Sequence, residues 1–212
     1  RQGDLTLNKP LPPLKIPLEK QQLILNSPVN NLLQMLNDDE TTSEEILLVF
    51  CQRVRMIGLN YELIAEVNFE EALEMARACD ETRKVTPKEE RAKLGLLYGI
   101  PFSVKDNFKL KGLDATFGLA SRCFQPQGED AVLIELLKKN GAIPFVKSSG
   151  PQMMMTIETM NHIWGRAKNP WNPERTVGGS SGGEGGLLAA RCSPLGIGTD
   201  IGGSVRIPAL YC

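Results

Sequence analysis

The sequence is short of the groups that many catalytic and structural motifs need. Its 212 residues include a single histidine, His162, so a serine–histidine–acid system would rest on that side chain alone. The five cysteines (Cys51, Cys79, Cys123, Cys192 and Cys212) contain no Cys-x-x-Cys pair. An odd, scattered set argues against a disulfide framework or a zinc site and for a reducing compartment. No run of about eighteen apolar residues is present, so no transmembrane helix is expected, and no secretory leader is visible. The formal net charge is −1, which points to no nucleic-acid partner and no strongly anionic substrate. The glycine-rich segments lack the Gly-Lys-Ser/Thr ending of a phosphate-binding loop.

What is present reads as an ordinary globular chain with 42% apolar and 23% charged residues, long enough for one large domain or two small ones. Residues 1–30 hold Pro10, Pro12, Pro13, Pro17 and Pro28, which argue against a continuous helix and for an extended lead-in. Residues 31–212 form the second unit. Thr42-Ser43-Glu44-Glu45 has the form of a capping box. It opens a helix with Ile46, Phe50, Val54 and Ile57 on one stripe, ending at Gly58. Asn68-Phe69-Glu70-Glu71 and Thr86-Pro87-Lys88-Glu89 give two more starts, the second with Pro87 in its first turn. The first of these carries Ala72, Leu73, Ala76 and Cys79 inward. Leu97–Val104 then alternates as a strand. Asp130 is placed to cap a helix carrying Val132, Leu133, Leu136 and Leu137, which Asn140-Gly141 ends. Ala142–Val146 follows as a short buried strand. Strand, helix, strand at this spacing marks an α/β layer.

The chemistry concentrates late in the chain. Gly178-Gly179-Ser180-Ser181-Gly182-Gly183 and Gly198-Thr199-Asp200-Ile201-Gly202-Gly203-Ser204 set serines among glycines. Without Cβ atoms beside them, a substrate can approach their backbone N–H groups closely. A helix is expected from the first cluster through Leu187-Leu188-Ala189-Ala190. Lys105 ends the run Ile100-Pro101-Phe102-Ser103-Val104-Lys105. A lysine serves as a base only if burial keeps it neutral, and Phe102, Val104 and Phe108 are near enough in sequence to wall it off. Glu184, close to a helix start, reads as a carboxylate favoured by the dipole. The run Met153-Met154-Met155 fits either an acyl channel or core filling.

Taken together, Gly99–Asp106 and Val177–Pro208 resemble the lysine strand and the signature segment of the amidase signature family, over roughly residues 30–212. Within that family, Ser180-Ser181-Gly182-Gly183-Glu184-Gly185 and Ser193-Pro194-Leu195-Gly196 are most similar to the branch that hydrolyses fatty acid amides. The resemblance implies an α/β fold in which helices flank a mixed sheet. It also implies a Ser-Ser-Lys triad of Ser204 as nucleophile, Ser180 as relay and Lys105 as base. Backbone N–H groups of Ile201, Gly202, Gly203 and Ser204 would meet the oxyanion, and the Met154 carbonyl would support the relay. Ser181, Asp200 and Arg206 would be supporting residues, and an unusual cis peptide would link Ser180 with Ser204.

The resemblance implies no cofactor and no metal. It implies a fatty acid amide substrate, an intracellular membrane surface such as the endoplasmic reticulum, and a homodimer as one assembly. Because family members are about twice as long or more, it also implies that residues 31–212 are the N-terminal part of a single amidase domain whose sheet continues elsewhere. Two other readings stay open: a hydrolase of small amides or a glutaminase-type amidotransferase subunit, and a truncated, non-catalytic binding protein.

Overall fold

In the computed structural model, residues 10–212 are described; the first nine residues of the expected lead-in lie outside them. The remainder of that lead-in is not wholly extended. Helix α1 occupies Leu18–Asn26 and α2 occupies Val29–Asn37, with Pro17 and Pro28 standing immediately before them as N-caps. At that position a proline removes no helical hydrogen bond, so the prolines bracket the helices rather than prevent them. Ile24, Leu32 and Leu36 are fully buried and tie both helices to the core.

Helix α3, Ser43–Arg53, opens on the capping box: Glu45 N–H donates to Thr42 Oγ1 at 3.1 Å and Thr42 N–H donates to Glu45 Oε2 at 3.2 Å. A π turn, Val54–Gly58, extends it, and Ile46, Phe50 and Val54 are buried as the spacing demands. Strand β1, Ile64–Val67, leads into α4, Phe69–Val85, whose inner stripe is Ala72, Ala76 and Cys79. Pro87 precedes a short 3-10 stretch, Lys88–Lys93, instead of lying within its first turn.

Strand β2 spans Pro101–Lys105. It starts later than the alternation suggests because Ile100 N–H closes a turn onto the Leu97 carbonyl at 3.0 Å, with Gly99 at φ 85°. Helix α5, Val132–Lys139, crosses to β3, Ile143–Ser148. Its N-cap is Ala131, not Asp130. The Asp130 carboxylate instead accepts from Lys111 N–H and Lys138 Nζ, each at 2.7 Å. Gly141 ends the helix with φ 79°, a left-handed position that suits glycine.

A two-stranded ribbon of β4, Met160–Asn161, and β5, Gly165–Arg166, precedes α6, Gly182–Ala189. Strand β6, Gly196–Ile197, and α7, Arg206–Tyr211, complete the order. The main sheet runs β1-β3-β2-β6, with β1 antiparallel to β3 and the other pairs parallel. It is a mixed sheet with helices packed on it, as an α/β fold requires. Every residue of β2 and β3 is buried, the usual state of central parallel strands. Period-two alternation divides β2: Phe102 and Val104 join Leu110 and Ile134 in an apolar cluster, so Ser103 and Lys105 face α6 on the other side. No described helix is long and apolar enough to cross a membrane.

Candidate active site

Two frameworks meet at Lys105. One is the end of β2; the other is the glycine-rich turn into α6. Glycines make the second approach possible. A Cβ on Gly183 would lie against the Ser149 carbonyl oxygen and 2.7 Å from the Ser149 nitrogen, and one on Gly186 would collide with Leu63. The helix therefore sits on β3 and its neighbours at backbone contact, and Ser180 and Ser181 are delivered to the sheet's edge. The peptide between Gly179 and Ser180 is cis, so this bond leads into Ser180 and does not link it with Ser204. Ser204 meets the cluster by hydrogen bonding instead, its carbonyl accepting from Ser181 N–H at 2.9 Å.

The Lys105 ammonium is wholly buried. Its Nζ donates to Ser180 Oγ at 2.7 Å and to Thr199 Oγ1 at 3.0 Å. Burial pulls the Lys105 pKa down to about 8, against the opposing pull of Glu184 and Asp200. Uptake and release of a proton at Nζ near neutrality thus becomes accessible to a group that ordinarily stays charged. Ser181 Oγ donates to the Thr199 carbonyl at 3.1 Å and accepts from Thr199 N–H at 3.3 Å, which locks the second glycine segment to the first.

Asp200 organises the loop that follows. Its carboxylate accepts from the N–H groups of Gly203, Val205 and Arg206 at 2.7, 3.0 and 3.2 Å. It is also paired with the Arg206 guanidinium at 3.0 Å. These donors hold its pKa well below the ordinary carboxylate range. One consequence bears on the expected oxyanion donors. The Gly203 N–H is already committed to Asp200, and Gly203 is not part of the cavity wall, whereas Ile201, Gly202 and Ser204 are.

That cavity, about 380 Å³, is lined by Met154, Met155, Ile157, Ser180, Thr199, Ile201, Gly202, Ser204 and Ile207, among others. Met154 thus lies in the wall, although no described side chain donates to its carbonyl. Met153 lies outside the wall. The Ser180 and Ser204 hydroxyls border the same space, yet no hydrogen bond joins them among the described residues. His162 is exposed and lies outside the cavity wall.

A family model described as Amidase matches residues 45–212. The chain belongs to the amidase signature family. It is 41% identical over 189 residues to Amidase 1 of Gibberella moniliformis, covering 89% of this chain and 35% of that protein. It is 35% identical over 191 residues to fatty-acid amide hydrolase 1 of Sus scrofa, covering 90% of this chain and 31% of that protein. A solved structure titled fatty acid amide hydrolase superposes with a TM-score of 0.83 at 31% identity, over 90% of this chain and 33% of that one. The chain spans about a third of the length of the relatives it matches.

Three features of this region escaped the sequence reading: the part played by Thr199, the burial of Glu184, and a buried lysine outside the cavity wall, Lys147. Thr199 carries no motif of its own, yet it is the second acceptor of Lys105. Glu184 is buried, with Oε2 accepting from Ser103 Oγ at 2.6 Å. Lys147, fully buried on β3, donates to the carbonyls of Asp106 and Phe108, each at 2.9 Å, and to that of Asp114. A lone lysine inside an apolar strand was its available signal.

Proposed function

We propose that the protein containing this chain hydrolyses amides through an acyl-enzyme, and that its preferred substrates are fatty acid amides. The observation that carries the chemistry is the 2.7 Å contact between a buried Lys105 Nζ and Ser180 Oγ. Neutral Lys105 takes the Ser180 proton as Ser180 takes that of Ser204, and Ser204 Oγ attacks the carbonyl carbon. Catalytic hydrogen bonds are often long in unliganded sites and tighten with substrate, which is how the Ser180–Ser204 link would close. The proton then returns through Ser180 to the leaving nitrogen, the C–N bond breaks, and amine departs. Water attacks the acyl-enzyme by the same relay and releases the acid. The N–H groups of Ile201, Gly202 and Ser204 are the candidates to meet the oxyanion, each such donor being worth about 100- to 1000-fold in rate.

Two features support the fatty-amide preference: identity to fatty-acid amide hydrolase 1 and the apolar mouth of the cavity. Met155 is 81% exposed, Ile157 69% and Ile201 fully, so an acyl chain leaving the site would run along apolar side chains. Access to such a substrate at a membrane surface follows from this preference and rests on it alone. The higher identity to Amidase 1 favours a second reading, a hydrolase of smaller amides.

A fluorophosphonate probe on the full-length protein, with peptide mapping, tests the chemistry; an adduct at Ser204 is expected. Labelling elsewhere would assign the nucleophile to another residue, and none on folded protein would return the chain to the binding-protein reading. A series of primary amides of increasing acyl length decides the substrate class, with kcat/KM rising with chain length for the fatty-amide reading and flat or falling for the other.

A further inference from the structure

A carboxylate in the first turn of a helix is usually solvated, because burying an unpaired charge is costly. Glu184 is only 4% exposed. The space for it is built by a neighbour from another element. A Cβ on Gly196 of β6 would strike Glu184 Oε2, so the carboxyl occupies the place of a missing side chain. Its Oε2 accepts from Ser103 Oγ at 2.6 Å, and Ser103 shares the α6-facing side of β2 with Lys105. Its Oε1 is buried near the Ser148 hydroxyl; the two close no well-formed hydrogen bond, although Ser148 still draws the carboxyl pKa down. Ser148 is the residue of β3 in register with Lys105. The Glu184 carboxyl thus meets the sheet on the side that carries Lys105, held by Ser103 two residues before it on β2 and standing near Ser148, its register partner on β3.

The charges around Glu184 and Lys105 come from three elements. From β2 comes Lys105. From the loop after β6 comes Asp200, which acts on Lys105 but is itself paired with Arg206. Lys147 of β3 is turned away toward the Asp106 and Phe108 carbonyls. Burial raises the Glu184 carboxyl to about 7, with Ser103, Ser148 and Lys105 acting in the opposite direction. Each of the two buried groups favours the charged form of the other.

We infer that Glu184 is a positioning residue that acts through Lys105, its buried carboxyl setting the pH at which Lys105 becomes a base. When Glu184 is ionised it holds a proton on Lys105. When it is neutral, Lys105 is left to its desolvation and gives up its proton more readily. The inference rests on Lys105 being the base of the proposed hydrolysis.

The test is the rate of fluorophosphonate labelling at Ser204 of the full-length protein as a function of pH. Wild type should rise to a plateau with a midpoint near the Lys105 value of about 8. Glu184→Gln keeps the volume and an acceptor for Ser103 but removes the anion, and its midpoint should move down by about one pH unit. Ser103→Ala removes a donor that stabilises the anion, so its midpoint should move the same way by less. This second variant decides the matter if Glu184→Gln does not fold. An unchanged midpoint in the folded variants, whether or not the rate falls uniformly, overturns the inference and leaves Glu184 a purely structural residue. A different failure marks the underlying reading: wild-type labelling without this limb, or a limb that survives in Lys105→Ala, removes Lys105 as base.

Discussion

Glu184→Gln should change how the protein's stability depends on pH, and the change can be worked from the burial of one carboxyl. Burial raises the Glu184 pKa from 4.5 to about 7. A group raised in the folded state stabilises the fold fully below its unfolded pKa, and that contribution is lost as pH rises through its folded pKa. The window is therefore pH 4.5 to 7. At about 1.4 kcal/mol per pKa unit, the interval corresponds to about 3 kcal/mol. Glutamine does not titrate, so the free-energy difference between wild type and variant should shift by about this amount across the window, with wild type gaining toward acid. Taking the difference cancels the exposed carboxylates, which titrate equally in both proteins.

Urea unfolding of both proteins at pH 4.5, 6 and 7.5, followed by circular dichroism, reads the effect directly. Lys105 enters the comparison at its alkaline end, with the opposite sign because its pKa is lowered, so the interval from pH 4.5 to 6 is the one that isolates Glu184. Its contribution is complete above the unfolded value of 10.5 and is lost as pH falls through about 8, which lies above the window. A difference that stays flat from pH 4.5 to 7.5 would mean that Glu184 has an ordinary carboxylate pKa in the folded protein. The buried-pair argument would fall with it.

Four further outcomes are expected. Ser204→Ala should abolish covalent labelling and amide turnover together, and a mapped adduct in that variant would show another nucleophile. Lys105→Ala should lower amide kcat/KM sharply at every pH and erase its dependence near pH 8; wild type, in contrast, holds about a tenth of Lys105 neutral at pH 7 if the pKa is about 8. Gly183→Ala should destabilise by about 1–3 kcal/mol or more, because the new Cβ meets the backbone of Ser149 and Leu63, which cannot swing aside; a thermal melt within a degree of wild type would contradict the close packing of α6. His162→Ala should leave kcat/KM within about twofold, since the ring is exposed and outside the cavity wall; a loss of about a thousandfold, some 4 kcal/mol, would bring histidine back into the chemistry.

The parts of the fold legible in the sequence are those fixed by neighbours along the chain. The Thr42–Glu45 capping box, the Gly141 helix end and the α6 start at the glycine cluster each depend on residues a few positions apart. The misreadings are of one kind. Asp130 looked like a cap, but Lys111 and Lys138 compete for its carboxylate from other parts of the chain. Pro17 and Pro28 looked like helix breakers, but their positions ahead of α1 and α2 make them harmless. Glu184 does stand in the first turn of α6, where the dipole favours it, but its burial was not legible, because the space for it is left by Gly196 on a distant strand. The serines and lysine proposed for the chemistry could be picked out because their family wording is local. Thr199 and Ser103, which hold the same groups, were not, because their roles exist only where strands meet.

Two buried lysines on adjacent strands illustrate why partner chemistry, and not burial alone, would separate a base from a structural cation. Both Lys105 and Lys147 are fully buried, and burial lowers the pKa of each. Lys147 faces three backbone carbonyls, with the Asp106 carboxylate 3.9 Å away. Carbonyl oxygens only accept, so an amine surrounded by three of them is best matched by the three N–H donors of the ammonium form. Deprotonation there would leave a lone pair against a carbonyl. Lys105 faces the hydroxyls of Ser180 and Thr199, and a hydroxyl can accept from the ammonium or donate to the neutral amine. Its contacts therefore survive loss of the proton, and the hydroxyl that reverses, Ser180, is the one bordering the cavity. Exchanging the two environments would exchange the behaviours: a lysine becomes a usable base in this sheet only where its neighbours can turn their hydrogen bonds around.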